Sequence, residues 1–207
     1  MKFAILSRFV AVCERHGIPE IHSKVVFQHL VAKYSEPHRA YHNLDHIERM
    51  LRLFTEYGIP DDEVELAIWF HDVIYDPNGK HNERKSADYF LAHLGGYLWD
   101  DFSREVERLI VATNPMMKRR GSNRENLIID IDLSILGASP AEYLDYTEGV
   151  RKEYSSVPDS KFCEGRDKIL RSILSEKIFV TQHFSDLEPQ ARENIQEELK
   201  KLGTKLC

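Results

Sequence analysis

The sequence is poor in the features that mark secreted, membrane-spanning and nucleic-acid-binding chains. It has three cysteines, Cys13, Cys163 and Cys207, an odd number at wide spacing. Neither a disulfide framework nor a cysteine-based zinc site follows, and a reducing cytoplasm is the expected location. Surplus positive charge is lacking: 28 Lys and Arg against 34 Asp and Glu give a net charge of −6, which argues against nucleic acid as a partner. No apolar run reaches the length of a membrane span. The apolar residues of Met1-Lys2-Phe3-Ala4-Ile5-Leu6 are soon interrupted by Arg8, Glu14 and Arg15, so neither a membrane anchor nor a signal peptide is expected. Alternating runs of strand length are missing too, although Leu127–Ile131 is apolar enough to be ambiguous. There is no internal repeat and no low-complexity tract. With 42% hydrophobic and 30% charged residues over 207 positions, the chain has material for a sizeable core and reads as one globular domain, 1–207.

What is present is helical periodicity. Phe3, Leu6, Phe9, Val10 and Cys13 form a stripe that stops near Gly17 and Pro19, and Val25, Val26, His29, Leu30 and Tyr34 form a second. A third helix is expected over roughly Asn43–Tyr57, ended by Gly58-Ile59-Pro60. Asp61 and Asp62 are N-cap candidates for a fourth, nearly all apolar from Val64 to Phe70 and therefore central. Asp76-Pro77-Asn78-Gly79 breaks the pattern. Further helices are expected over Glu83–Leu94, Arg104–Thr113, Arg124–Leu136, Pro140–Tyr154, Lys161–Phe179 and Pro189–Leu202, with Ser139 capping at Pro140. The polar, basic stretch Asn114–Asn123, with Met116, Met117, Lys118, Arg119 and Arg120, reads as a loop and a mobile rim.

Ionisable residues inside the apolar segments carry the chemistry. His46, the adjacent pair His71–Asp72, and Asp132 make a set of two imidazoles and two carboxylates suited to one or two divalent metals. An ionised carboxylate following Leu66–Phe70 is costly to bury unless a cation or strong hydrogen bonds compensate. In Asn126–Leu136 two acids, Asp130 and Asp132, stand about 200° apart around a helix, so one cavity receives only one of them. Asp132 is chosen because its flanking Leu133, Ile135 and Leu136 make it the harder to solvate. His42 and His46, four apart, are expected on one helical face about one turn apart. A His-x-x-x-His spacing occurs in zinc proteases as well, but Asn43 stands where their general base, a Glu, follows the first His.

This pattern of a separated His, an adjacent His-Asp and a distal Asp resembles the HD superfamily of metal-dependent phosphohydrolases. Tyr41-His42-Asn43-x-x-His46 is similar to the signature of cyclic-nucleotide phosphodiesterases, which share that metal site. The rest of the chain resembles a bacterial branch of predicted HD phosphohydrolases in Phe70–Pro77, Asn82-Glu83-x-x-Ser86-Ala87, Asp130–Leu136, Val150-Arg151-x-Glu153-Tyr154 and Phe162–Leu174. The resemblance implies an all-α HD-domain helical bundle with a central metal site. It implies His42 as proton donor, His46, His71, Asp72 and Asp132 as metal ligands, and a metal-activated water as nucleophile. Asp72 would bridge the ions of a dinuclear site. Some HD hydrolases carry a Glu-Asp pair downstream of His-Asp; here Asp76 keeps the second position and Tyr75 replaces the first, with Glu83 as a possible substitute.

The cofactor expected is a divalent ion, one or two per chain; mixed nitrogen and oxygen ligands do not choose sharply among Mn, Mg, Fe, Co, Ni and Zn. The expected substrate is a small phosphate ester or pyrophosphate of nucleotide type. Arg151 and Arg166 are candidates to grip phosphate, and Tyr154 to stack on a base or sugar. Two other readings stand beside this one. HD-type di-iron oxygenases recruit extra histidines before the last Asp, and His81 and His93 fall in that interval. A non-catalytic nucleotide-sensing HD module is the third. Oligomeric state is not marked in the sequence.

Overall fold

Each helix start and stop has a local cause. Helix α1 (Lys2–Arg15) ends where Gly17 takes a left-handed φ of 73°, letting the Ile18 amide turn back to the Cys13 carbonyl. Helix α2 (Glu20–Tyr34) follows Pro19. Helix α3 spans Leu44–Glu56, and helix α4 (Asp62–Phe70) is capped by Asp61, whose side chain accepts the Val64 amide at 3.1 Å. Helices α5 (Asn82–Leu94) and α6 (Asp100–Ala112) are joined by a short 3-10 turn. Helix α7 (Asn123–Leu133) opens with a capping box between Ser122 and Glu125, and helix α8 (Pro140–Glu153) with one between Ser139 and Glu142. Helices α9 (Asp159–Leu174) and α10 (Glu188–Lys205) complete the order.

The structure, a computed structural model, describes residues 2–56, 58, 60–115 and 121–205. Among these are ten α-helices and no strand, so the fold class is all-α. No described helix is long and apolar enough to cross a membrane. Of the expected mobile rim Asn114–Asn123, residues 116–120 lie outside the described residues, as do Cys207 and the expected helix end at Tyr57. Cys13 and Cys163 are buried free thiols.

The chain divides into two units, Met1–Asn114 and Pro115–Cys207. In the first, α4 is the hub, packed against α1, α3, α5 and α6. Every residue from Val64 to Phe70 is buried, as its nearly all-apolar sequence requires. The exception in kind is Glu65, whose carboxylate accepts from Arg8 at 2.8 Å. Phe9 and Phe27 meet Trp69 edge-on, with ring centroids 5.3 and 6.0 Å away, and Phe70 meets Phe90 at 5.3 Å. Such contacts fix the rotation of α4, and hence the direction in which its C-terminal end presents His71.

In the second unit α10 packs on α9 and on the 3-10 turns Ser134–Gly137 and Gln182–Leu187. The buried Asn194 side chain of α10 donates to the Leu136 and Ala138 carbonyls. Gly137 allows a close approach, since a Cβ there would stand 2.6 Å from that of Leu187.

The expected helix Lys161–Phe179 stops at Leu174. Ile178 and Phe179 are buried as periodicity demands, but their amides are bonded to the carboxylate of Glu188 at 3.2 and 2.9 Å rather than to a preceding helical turn. The next two amides, Val180 and Thr181, go to Asp130 at 3.2 and 2.7 Å. Four consecutive N–H groups outside any helix are thus satisfied by two acids. Burial works to raise the Glu188 pKa, but the Phe179 and Ile178 amides and Arg192 outweigh it and hold it below the ordinary value. A depressed carboxyl stabilises the fold above its unfolded pKa of about 4.3 and loses that contribution as pH falls through the folded value. Glu188→Gln is therefore expected to lower stability by about 1–2 kcal/mol near neutrality. The gap to the unaltered protein closes as pH falls below about 4, which denaturant melts at several pH values measure.

Candidate metal centre

His71 is the C-cap residue of α4, and Asp72 is the first residue beyond it. Both therefore follow the hub helix at its end rather than lying within it. The His71 ring Nδ1 lies 3.0 Å from the Ile68 carbonyl, an acceptor, so that nitrogen carries the proton and Nε2 presents a lone pair. That Nε2 lies 3.3 Å from His46 Nε2 and 3.2 Å from Asp72 Oδ2. His46 comes from the first turn of α3 and is buried; the Asp72 side chain keeps 15% exposure. One ligand atom from each of His46, His71 and Asp132 lies within 4.8 Å of the others, and this is the group that can hold a metal ion among the described residues.

The donor set fits such an ion. The His46 and His71 Nε2 atoms, 3.3 Å apart, repel as bare lone pairs unless a proton or cation lies between them. Ligands bound at about 2.1 Å stand roughly 3.0–3.4 Å apart at neighbouring vertices of one coordination sphere. Without an ion, and with the histidines in their protonated, charged form, burial works to raise the Asp72 pKa, but His71, through charge and hydrogen bond, and then His42 and His46 prevail and hold the carboxylate well below its ordinary range.

His42 departs from the sequence expectation in its backbone. It lies in a bend before α3, not a turn up the same helix, because α3 begins only at Leu44. It reaches the site through ring contacts, its centroid 5.9 Å from that of His46 and stacked on Tyr75 at 4.3 Å. Asn43 makes the bend, its side-chain oxygen accepting from the Asp45 and His46 amides.

The two acidic candidates downstream separate. Asp76 is exposed and its carboxylate accepts the Asn78 amide in a turn. Glu83, in the first turn of α5, is half-buried and accepts from Asn114 at 3.2 Å. Its pKa is raised, first by burial and then, against its own amide, by the charge of Asp72, while His71 acts in the opposite sense. The charges of Asp72 and His71 thus both act on Glu83.

Asp130 and Asp132 also separate, and the reason given from sequence is corrected. Asp130, not Asp132, is the more buried, at 0% exposure, and its carboxylate is engaged by Val180 and by the Thr181 amide and hydroxyl. Asp132 is half-buried and is the acid grouped with His46 and His71.

The residues expected to bind substrate are held by local partners. The Arg151 guanidinium donates to the Tyr154 and Val157 carbonyls and to Asp159, and lies over the Phe162 ring. Tyr154 is the C-cap of α8 and its ring meets Phe162 at 5.7 Å. Arg166 makes a two-pronged pair with Glu198 and donates to the Tyr146 hydroxyl, with 9% of its side chain exposed. Both arginines are thus already engaged by a carboxylate, Asp159 for Arg151 and Glu198 for Arg166.

The histidines behind the oxygenase reading stand apart from the ligand group. His81 is exposed at the start of α5, with a left-handed φ of 65°. His93 Nδ1 bonds the Tyr89 carbonyl and its ring stacks on Tyr89 at 4.0 Å.

Sequence reasoning missed Arg39, which crosses from the segment before α3 to the segment after α4, and Asn114, which holds Glu83. A signal for Arg39 was present: a lone arginine between Tyr34 and Tyr41. Asn114 had none, being one polar residue at a helix end. No protein family, curated protein or solved structure gives a significant match to this chain.

Proposed function

We propose that the chain is a metal-dependent phosphohydrolase of HD type, one domain over 1–207, acting on a phosphate ester or pyrophosphate of a small nucleotide-like molecule. The observation that carries the reading is the grouping of His46, His71 and Asp132, one ligand atom of each within 4.8 Å of the others, with the two Nε2 atoms 3.3 Å apart; Asp72, whose Oδ2 lies 3.2 Å from His71 Nε2, is the proposed fourth ligand. Asp132 supplies the distal carboxylate.

A bound divalent ion supplies Lewis acidity toward a phosphoryl oxygen and makes water acidic enough to attack at neutral pH. The protein's own part is orientation and proton handling. His42, edge-on to His46 and stacked on Tyr75, is positioned to give its proton to the departing oxygen. Glu83, with its raised pKa, is the group suited to hold or return a proton beside the ligands. Arg151, Tyr154 and Arg166 remain the proposed contacts to the anionic substrate, Arg151 the more readily because its partner Asp159 is exposed.

The test is elemental analysis of the purified protein together with phosphate release across nucleotides and simple esters, with and without added Mn(II). Turnover dependent on one or two divalent ions per chain is expected. Two irons per chain with an O2 requirement overturn the reading in favour of an oxygenase. Nucleotide binding with no phosphate release overturns it in favour of a sensor.

A further inference from the structure

We infer that Arg39 is the positioning residue of this centre, the group that sets the two ligand-bearing segments of the first unit relative to each other; the inference rests on the metal reading above. Its side chain has 0% exposure. Nη1 donates to the His42 carbonyl at 2.9 Å and to the Asp72 carbonyl at 2.8 Å. Nη2 donates to the Val73 carbonyl at 3.0 Å, and Nε to the Glu36 carboxylate at 3.1 Å. The Tyr34 and Tyr75 rings lie 5.1 and 5.5 Å from the guanidinium carbon.

This one planar group ties the bend that leads into His46 to the backbone of Asp72 itself. The Asp72 carboxylate is a single side chain away from an atom that Arg39 holds. Tyr75 extends the tie: it touches Arg39 and stacks on His42, so the proton-donor ring is set by the same assembly. A lysine retains the charge but places its three N–H groups on one nitrogen, and cannot serve four acceptors spread across a fork. Groups that orient metal ligands from outside the coordination sphere change affinity by about 10–100-fold when removed.

The experiment compares the full-length protein with Arg39→Lys and Tyr34→Phe. The second variant removes a buried hydrogen bond to the Trp69 carbonyl in the same neighbourhood and leaves the ligand segments tied. Each is melted in chelator and titrated with Co(II), whose visible absorption reports ligand geometry. Arg39→Lys is expected to weaken Co(II) binding by about 10–100-fold and to alter the absorption band. Tyr34→Phe is expected to melt lower with Co(II) affinity unchanged. Should Arg39→Lys fail to fold, Glu36→Gln decides, because it loosens the guanidinium from the side away from the ligands; a loss of at least about threefold is expected. Co(II) affinity and spectrum unchanged in the folded Arg39→Lys protein, or in Glu36→Gln where that variant decides, overturn the positioning role. Absence of Co(II) binding by the unaltered protein overturns the metal centre itself.

Discussion

Asp72→Asn is expected to abolish phosphate release and to lower Mn(II) affinity by at least about 100-fold, more than the loss of an outer-sphere group causes, while the far-UV circular dichroism stays unchanged. Asparagine has nearly the same shape, so packing at the end of α4 is preserved. The backbone of residue 72 is held through its carbonyl by Arg39, independent of the side chain. What changes is the anionic oxygen 3.2 Å from His71 Nε2, and with it the negative charge that offsets a bound cation. Calorimetric titration with Mn(II) and a phosphate-release assay on the same preparation measure both effects. Turnover by the Asn variant comparable to the unaltered protein would remove Asp72 from the mechanism.

The second large effect is on stability. Asp130→Ala is expected to destabilise the protein by about 3 kcal/mol or more, because two backbone amides and a hydroxyl lose a charged acceptor in a buried place. For a chain of this size that is a fall in melting temperature of roughly 10 °C. Asp132→Ala is expected to lose metal affinity and to destabilise the protein less than Asp130→Ala when both are melted in chelator. Thermal melts and Mn(II) titration of the two variants side by side read the contrast. An Asp130→Ala protein as stable as the original, or an Asp132→Ala protein that is the less stable of the two, contradicts the division of labour between these acids.

That pair shows what the sequence can and cannot disclose. Two carboxylates in an apolar helix announce that something compensates them, and helical geometry says they face different ways. Which one joins His46 and His71 and which is taken up by amides depends on Val180 and Thr181, about fifty residues downstream, where no local pattern points back to Asp130. His71 was legible for the same reason, as an ionisable group after a run too apolar to be surface. Helix starts were legible where Ser139 and Asp61 mark them, because capping is a short-range effect. The end of α9 was not: Ile178 and Phe179 keep the spacing of a buried helical face, yet Glu188 claims their amides. His42 was assigned the right neighbour on the wrong backbone, because Asn43 turns the chain one residue before α3 begins. Arg39 acts almost wholly through carbonyl oxygens, which every residue possesses, so its partners leave no trace in residue type.

The segment 178–181 has a consequence for how this chain tolerates change. Connections between helices ordinarily accept extra residues, since their backbone faces water. Here each of four successive amides is matched to a carboxylate on one side or the other, Glu188 for the first two and Asp130 for the second two. Lengthening the connection by one residue at that point would slide the whole row out of phase, as a register slip does between paired strands. This stretch without helix is therefore among the least extensible parts of its unit.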